Sequence, residues 1–141
     1  MGAGEVALDL RKKGLTKTIK SDNTPVSNGD LEVNKIITNR IRDLMPDISI
    51  VSEETSENKK NEELSDFWLI DPIDGTYDYI NDLDEFTINA GLILDKKPAA
   101  GLIYVPAKKR MFYSYGEDLA FELTNGKTLK LEGSKNFNKE E

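Results

Sequence analysis

Phe67-Trp68-Leu69-Ile70-Asp71-Pro72-Ile73-Asp74-Gly75-Thr76 concentrates the chemistry of this 141-residue chain. Phe67 to Ile70 read as a short buried strand that stops at Asp71. Pro72 has a fixed φ and no N–H, so the strand is expected to go no further. Asp71 and Asp74 then leave a strand end and flank a rigid turn. Gly75 removes a side chain where a ligand or backbone comes close. Thr76 opens a short helical segment, Tyr77 to Leu83. Asp71, Asp74, the Ile73 carbonyl and the Thr76 hydroxyl form an all-oxygen set suited to a hard cation such as Mg²⁺. Free N–H groups at the start of the following segment suit a phosphate. The alternative is that the two acids only form turns, because Asp-Pro and Asp-Gly are common turn dipeptides.

Composition narrows the chemistry. The length suits one domain with a real core. With 38% hydrophobic and 32% charged residues the sequence is that of a globular protein with a solvated surface. A formal net charge of −7 argues against nucleic-acid backbones and anionic membranes as partners. It leaves room for a small phosphorylated substrate, because a bound cation inverts the local field. The chain has no cysteine and no histidine. Disulfides, thiolate or imidazole zinc sites, a Cys nucleophile and a His base are therefore excluded. Catalysis falls to carboxylates, hydroxyls, lysines or a metal. No apolar run near Met1 has the length of a signal peptide and none elsewhere spans a membrane, so the expected location is cytoplasmic.

Upstream, Ala3, Val6, Ala7 and Leu10 recur at helical spacing, with basic residues and Gly14 as the stop. With no capping residue before it, this helix reads as the tail of a longer one. Leu15 to Ile19 is expected to be extended, and Lys20 to Ser27 a polar loop punctuated by Pro25. Ser27 and Asp30 have capping-box spacing, and capping alone accounts for Asp30. Val33, Ile36, Ile37, Ile41 and Leu44 mark the apolar face of a second helix that ends near Pro46. Ile48 to Val51 is a β-branched strand that also ends in acids, Ser52-Glu53-Glu54. Glu53 and Glu54 either begin the solvated run from Thr55 to Asp66 or belong to a metal site shared with Asp71. That run reads as a mobile loop or frayed turn.

Downstream, Phe86, Ile88, Ala90, Leu92 and Leu94 alternate as one face of a strand. Asp95 to Pro98 reads as a turn. Strands follow over Ala100–Val105, Met111–Tyr115, Leu119–Leu123 and Thr128–Leu131, with Asn125-Gly126 as a hairpin turn. The fold class is α+β: two helices packed on a mostly antiparallel sheet, with residues 1–132 as the domain. Residues 133–141 are polar and expected to be disordered.

Trp68 to Thr76, preceded by Ser52-Glu53-Glu54, resembles the signature of the Mg²⁺-dependent, lithium-sensitive phosphatases, the inositol monophosphatase superfamily. Lys20-Ser21-Asp22-Asn23-Thr24-Pro25-Val26-Ser27 and Asp84-Glu85-Phe86-Thr87-Ile88-Asn89 look more like its 3′(2′),5′-bisphosphate nucleotidase branch. Tyr77-Asp78 stands where that branch usually has Lys-Glu. The resemblance implies hydrolysis of a phosphomonoester such as 3′-phosphoadenosine 5′-phosphate by a metal-activated water. Glu53, Asp71, the Ile73 carbonyl and Asp74 would hold Mg²⁺. Glu53 and Thr76 would position the water, and Asp30 would act through a more weakly held metal. Asp74 and the Gly75 and Thr76 N–H groups would hold the phosphate. It also implies that the family's second, α/β domain is missing from these residues, leaving apolar surface open to self-association as a homodimer. Two other readings stay open: an inositol monophosphatase or sugar-phosphate phosphatase, and an inactive metal-binding fragment that needs a separate second half.

Overall fold

A computed structural model describes residues 2–54, 65–116 and 119–132. The tail over 133–141, and all but two residues of the run over 55–66, lie outside these described residues.

Helix α1, Ala3–Lys13, places Glu5 in its first turn and Arg11, Lys12 and Lys13 in its last, each favourable to the helix dipole. The segment from Lys20 to Ser27 is not wholly a loop. Strands β1, Lys17–Ile19, and β2, Pro25–Ser27, pair antiparallel, with Ile19 opposite Pro25. As the first residue of an edge strand, Pro25 has no ladder donor to lose. Helix α2, Asn28–Leu44, starts on the expected capping box of Ser27 and Asp30. Its inward face is more polar than the apolar spacing predicts. Leu44 is 74% exposed, whereas Asn34 and Thr38 are buried. Both polar side chains are satisfied: Thr38 Oγ1 donates to Asn34 O at 2.8 Å, and Asn34 Oδ1 accepts from Ser52 Oγ.

Among the described residues seven strands form the main sheet in chain order: β3 Ser49–Ser52, β4 Phe67–Asp74, β5 Thr87–Leu94, β6 Lys97–Val105, β7 Arg110–Tyr115, β8 Ala120–Thr124 and β9 Lys127–Leu131. Only β3 and β4 pair in parallel; every other neighbouring pair is antiparallel. Helix α3, Thr76–Ile80, follows β4.

Strand β4 does not stop before Pro72; it runs to Asp74. Its ladder with β3 ends at Ile70, and its register against β5 shifts between Asp71 and Asp74. Pro72 therefore lies at a bulge with no neighbour on the β3 side, one of the few strand positions open to proline. Lys97 and Pro98 likewise belong to β6 rather than to the turn, with Pro98 at the register shift opposite Ile93. The turn itself is Asp95-Lys96, both with positive φ. Asn125 and Gly126 take φ of 53° and 74°, as a tight hairpin with two left-handed central residues requires.

The core gathers Ala7, Val33, Ile73, Tyr79, Phe86 and Ile88. Tyr79 and Phe86 rings meet with centroids 4.8 Å apart, an arrangement worth about 1 kcal/mol beyond area burial. The Tyr79 hydroxyl donates to Ala7 O at 2.6 Å, which ties α3 to α1. The result is an α+β domain whose most tightly packed residues lie directly behind the Asp71–Thr76 turn.

Candidate active site

The parallel pairing of β3 and β4 places two acidic strand ends side by side. Ser52 is opposite Ile70, and pairing continues one step because Glu53 N donates to Ile70 O at 3.1 Å. Glu53 thus emerges next to Asp71. The Ser52–Asn34 bond anchors this strand end to α2. On the other strand Ile73 is 2% exposed, its side chain in the core. Its carbonyl lies 3.2 Å from Thr76 Oγ1. Gly75 makes the following turn at φ 89°; a Cβ there would stand 3.1 Å from Glu85 O. The close approach that glycine allows here is to backbone.

The four acids differ in environment. Asp71 Oδ1 is buried and has no hydrogen-bond partner. Burial first, then hydrogen bonding with the Glu53 carboxyl, and then the charges of Glu53, Asp74 and Glu54 push the Asp71 carboxyl up to about 7. Asp74 Oδ2 accepts from Asn89 Nδ2 at 3.1 Å. The Glu53 side chain is about half exposed. Glu54 is 4% exposed, and burial raises its carboxyl, partly offset by Lys20. As adjacent residues at a strand end, Glu53 and Glu54 have opposite environments.

Asp30 is fully buried and has both oxygens engaged. Oδ2 accepts from Ser27 N at 2.9 Å and from Ser27 Oγ; Oδ1 accepts from Thr76 Oγ1 at 2.7 Å. A hydroxyl has one proton to give, and the shorter contact to the carboxylate takes it. Thr76 thereby keeps its lone pairs for a partner on the open side. Asp30 thus both caps α2 and accepts the Thr76 hydroxyl.

Glu53, Asp71 and Asp74 are electrostatic neighbours. Among the described residues, however, no group of three or more acids is gathered closely enough to hold a metal as it stands. An open groove of about 700 Å³ runs from Glu53, Asp71 and Asn89 along the sheet toward Phe112 and Phe121. A larger cavity of about 850 Å³ lies between the helices and the sheet, lined by Ile36, Ile37, Trp68 and Tyr104. It is apolar and has none of the site acids, so the smaller groove is the chemically equipped one.

Three residues of this region lack a distinctive sequence signal as site members. Lys20 reaches Glu53 and Glu54 from the β1–β2 turn at 4.0 and 3.6 Å. Glu54 is visible only as half of an acidic pair, and Asn89 only as a polar position of an alternating strand.

The sequence profile of the inositol monophosphatase family matches residues 1–141. The 3′(2′),5′-bisphosphate nucleotidase CysQ of Aggregatibacter actinomycetemcomitans is 34% identical over 131 residues, covering 92% of this chain and 49% of that protein. The chain thus spans about half the length of the curated relatives it matches. An IMPase of Thermotoga maritima superposes with a TM-score of 0.80 at 26% identity, covering 95% of this chain and 50% of that one. CysQ from Bacteroides thetaiotaomicron, a bacterial member of the inositol monophosphatase family, gives 0.70 at 26% identity over 94% and 48%.

Proposed function

Because the chain belongs to the inositol monophosphatase family, we propose that it carries the acid-bearing half of a Mg²⁺-dependent phosphomonoesterase. The substrate class is a 3′(2′),5′-bisphosphate nucleotide, supported by the CysQ relatives. The observation that carries this reading is the buried, unpartnered Asp71 Oδ1 among Glu53, Asp74 and Glu54. A carboxylate oxygen withdrawn from water beside other acids needs a cation. The donors are hard oxygens, which fits Mg²⁺.

Glu53, Asp71, the Ile73 carbonyl and Asp74 would hold the ion. Bound there, Mg²⁺ would acidify a water molecule and neutralise charge on the phosphoryl oxygens. The chain's own residues do the positioning. Thr76, its proton committed to Asp30, offers a lone pair to a proton of the attacking water. Glu53, half exposed, accepts from the same water on the other side. Asp30 acts through Thr76, whose hydroxyl donates to its Oδ1, and would help through a more weakly held metal. Gly75 and Thr76 offer backbone N–H groups to the phosphate, with Asp74 beside them. Phosphoryl transfer depends mainly on such positioning and charge compensation.

The test is parallel assay of 3′-phosphoadenosine 5′-phosphate and inositol 1-phosphate with Mg²⁺, using D71N and D74N as controls. Release of phosphate from the nucleotide, lost in both variants, is expected. Preference for inositol 1-phosphate would support the second reading, toward which the Thermotoga maritima IMPase points. Cation binding without turnover of either compound would favour a non-catalytic half that works with a second one. No cation binding and no turnover would overturn all three. Among the described residues no helix is long and apolar enough to cross a membrane.

A further inference from the structure

We propose that Lys20 is a resident counter-cation of the acidic site. It neutralises Glu53 until a divalent ion takes its place, while Glu54 keeps the displaced ammonium close by. The proposal rests on the reading of Glu53 as a metal-holding residue.

The arrangement is built from two separate elements. Lys20 begins the turn between β1 and β2, a pair outside the main sheet. That turn is braced by Lys20 N to Thr24 O at 2.8 Å and Asn23 N to Lys20 O at 2.9 Å. Asp22 Oδ1 adds a bond from Thr24 N at 3.1 Å. These bonds fix the shape of the turn from which the lysine side chain, 26% exposed, reaches the acids after β3. Its Nζ lies 4.0 Å from Glu53 Oε1 and 3.6 Å from Glu54 Oε2. Among the described residues no other Lys or Arg nitrogen lies within 4.0 Å of Glu53, Glu54, Asp71 or Asp74.

Both separations exceed a close charged hydrogen bond, so the ammonium is shared between two acids rather than locked on one. The two acids are not equivalent. The Glu54 side chain is 4% exposed and requires a counter-charge where it is. Glu53 is 52% exposed and has water as an alternative. A divalent ion held by Glu53 and Asp71 would repel the ammonium. The flexible four-carbon stem lets Nζ shift onto Glu54 while the braced turn stays in place. Lys20 therefore sets the concentration at which the site takes up its cation.

The test is calorimetric titration of Mn²⁺ and Mg²⁺ into the 141-residue chain and its variants K20M, K20R, E54Q and K20M/E54Q, with thermal melts as folding controls. Lys20→Met removes a unit charge about 4 Å from Glu53, so affinity should tighten about tenfold. K20R should stay near the unsubstituted chain. E54Q should weaken binding more when Lys20 is present than in the K20M background, because the lysine then rests wholly on Glu53. K20Q gives the same readout should K20M fold poorly. Equal or weaker affinity in both K20M and K20Q, with the unsubstituted chain still binding, overturns the role of Lys20 and leaves the metal reading standing. Additive effects of K20M and E54Q overturn it too. No binding by any of these proteins removes the metal reading itself, and this proposal with it.

Discussion

Thr76 Oγ1 lies 2.7 Å from Asp30 Oδ1 across 46 positions of sequence. The contact joins the first turn of α3 to the first turn of α2, and it has a structural as well as a chemical consequence. Thr76→Ala leaves one oxygen of a fully buried carboxylate without a donor. A loss of about 1–3 kcal/mol in unfolding free energy is expected, with Thr76→Ser retaining most of it. Denaturant melts of the three proteins measure this, and equal stability of T76A and the parent would refute the bond's importance.

Gly75 and Gly126 both have positive φ, 89° and 74°, but only one is crowded. A Cβ at Gly75 would meet Glu85 O at 3.1 Å, whereas nothing stands within 4 Å of one at Gly126. Alanine at either position carries the left-handed penalty of about 1–2 kcal/mol. Gly75→Ala should cost visibly more than Gly126→Ala in thermal melts, because the Glu85 carbonyl or the β4–α3 turn must also move. A larger loss from G126A would contradict this account of the turn.

The Asp71 carboxyl, held at about 7 against an ordinary 3.8, gives the metal-free chain a pH signature. Between those values the folded chain keeps a proton that the unfolded chain releases. The stability this contributes is full below about pH 4 and is lost as pH rises through 7. Melting temperatures in chelator should therefore fall across that window more steeply for the parent than for D71N. Parallel slopes for the two proteins would refute it.

Leu69 and Ile103, 50% and 46% exposed, share one face of the sheet with Asp71 and Asn89. The register shows this, since Leu69 is opposite Gly91, Asp71 opposite Asn89, and Asn89 opposite Ile103. Apolar surface on this face favours association of copies of the chain. Sedimentation should show concentration-dependent dimers that L69K/I103K reduces to monomers. A monodisperse parent at high concentration would exclude this.

The legible parts of the sequence are those governed by near neighbours. Ser27 and Asp30 announce the helix start they cap, and Asn125-Gly126 announces its hairpin turn. The acids after Val51 announce the end of β3, whereas those after Ile70 mark a bulge in a strand that runs on to Asp74. What sequence conceals depends on distant partners. Pro72 looks like a strand breaker until the β3–β4 ladder is seen to end at Ile70 and the β5 register to shift beyond Asp71, leaving it at a bulge. Leu44 fits an apolar helical stripe, yet nothing covers it, while Thr38 is buried because Asn34 O accepts its hydroxyl. Lys20 reads as a loop cation, and only the β1–β2 pairing brings it to Glu53 and Glu54. Periodicity reports which face is apolar, and it carries no information about which ends meet.

The central claim is that Glu53, Asp71 and Asp74, issuing from neighbouring strand ends, take up one hard cation. Calorimetric titration of Mg²⁺ into the chain, repeated with D71N and D74N, measures it directly. The account predicts saturable binding by the parent and its loss in both variants, with the D71N fold intact because a repelling charge is gone. Absence of binding by a folded parent, or undiminished binding by D71N, would contradict it.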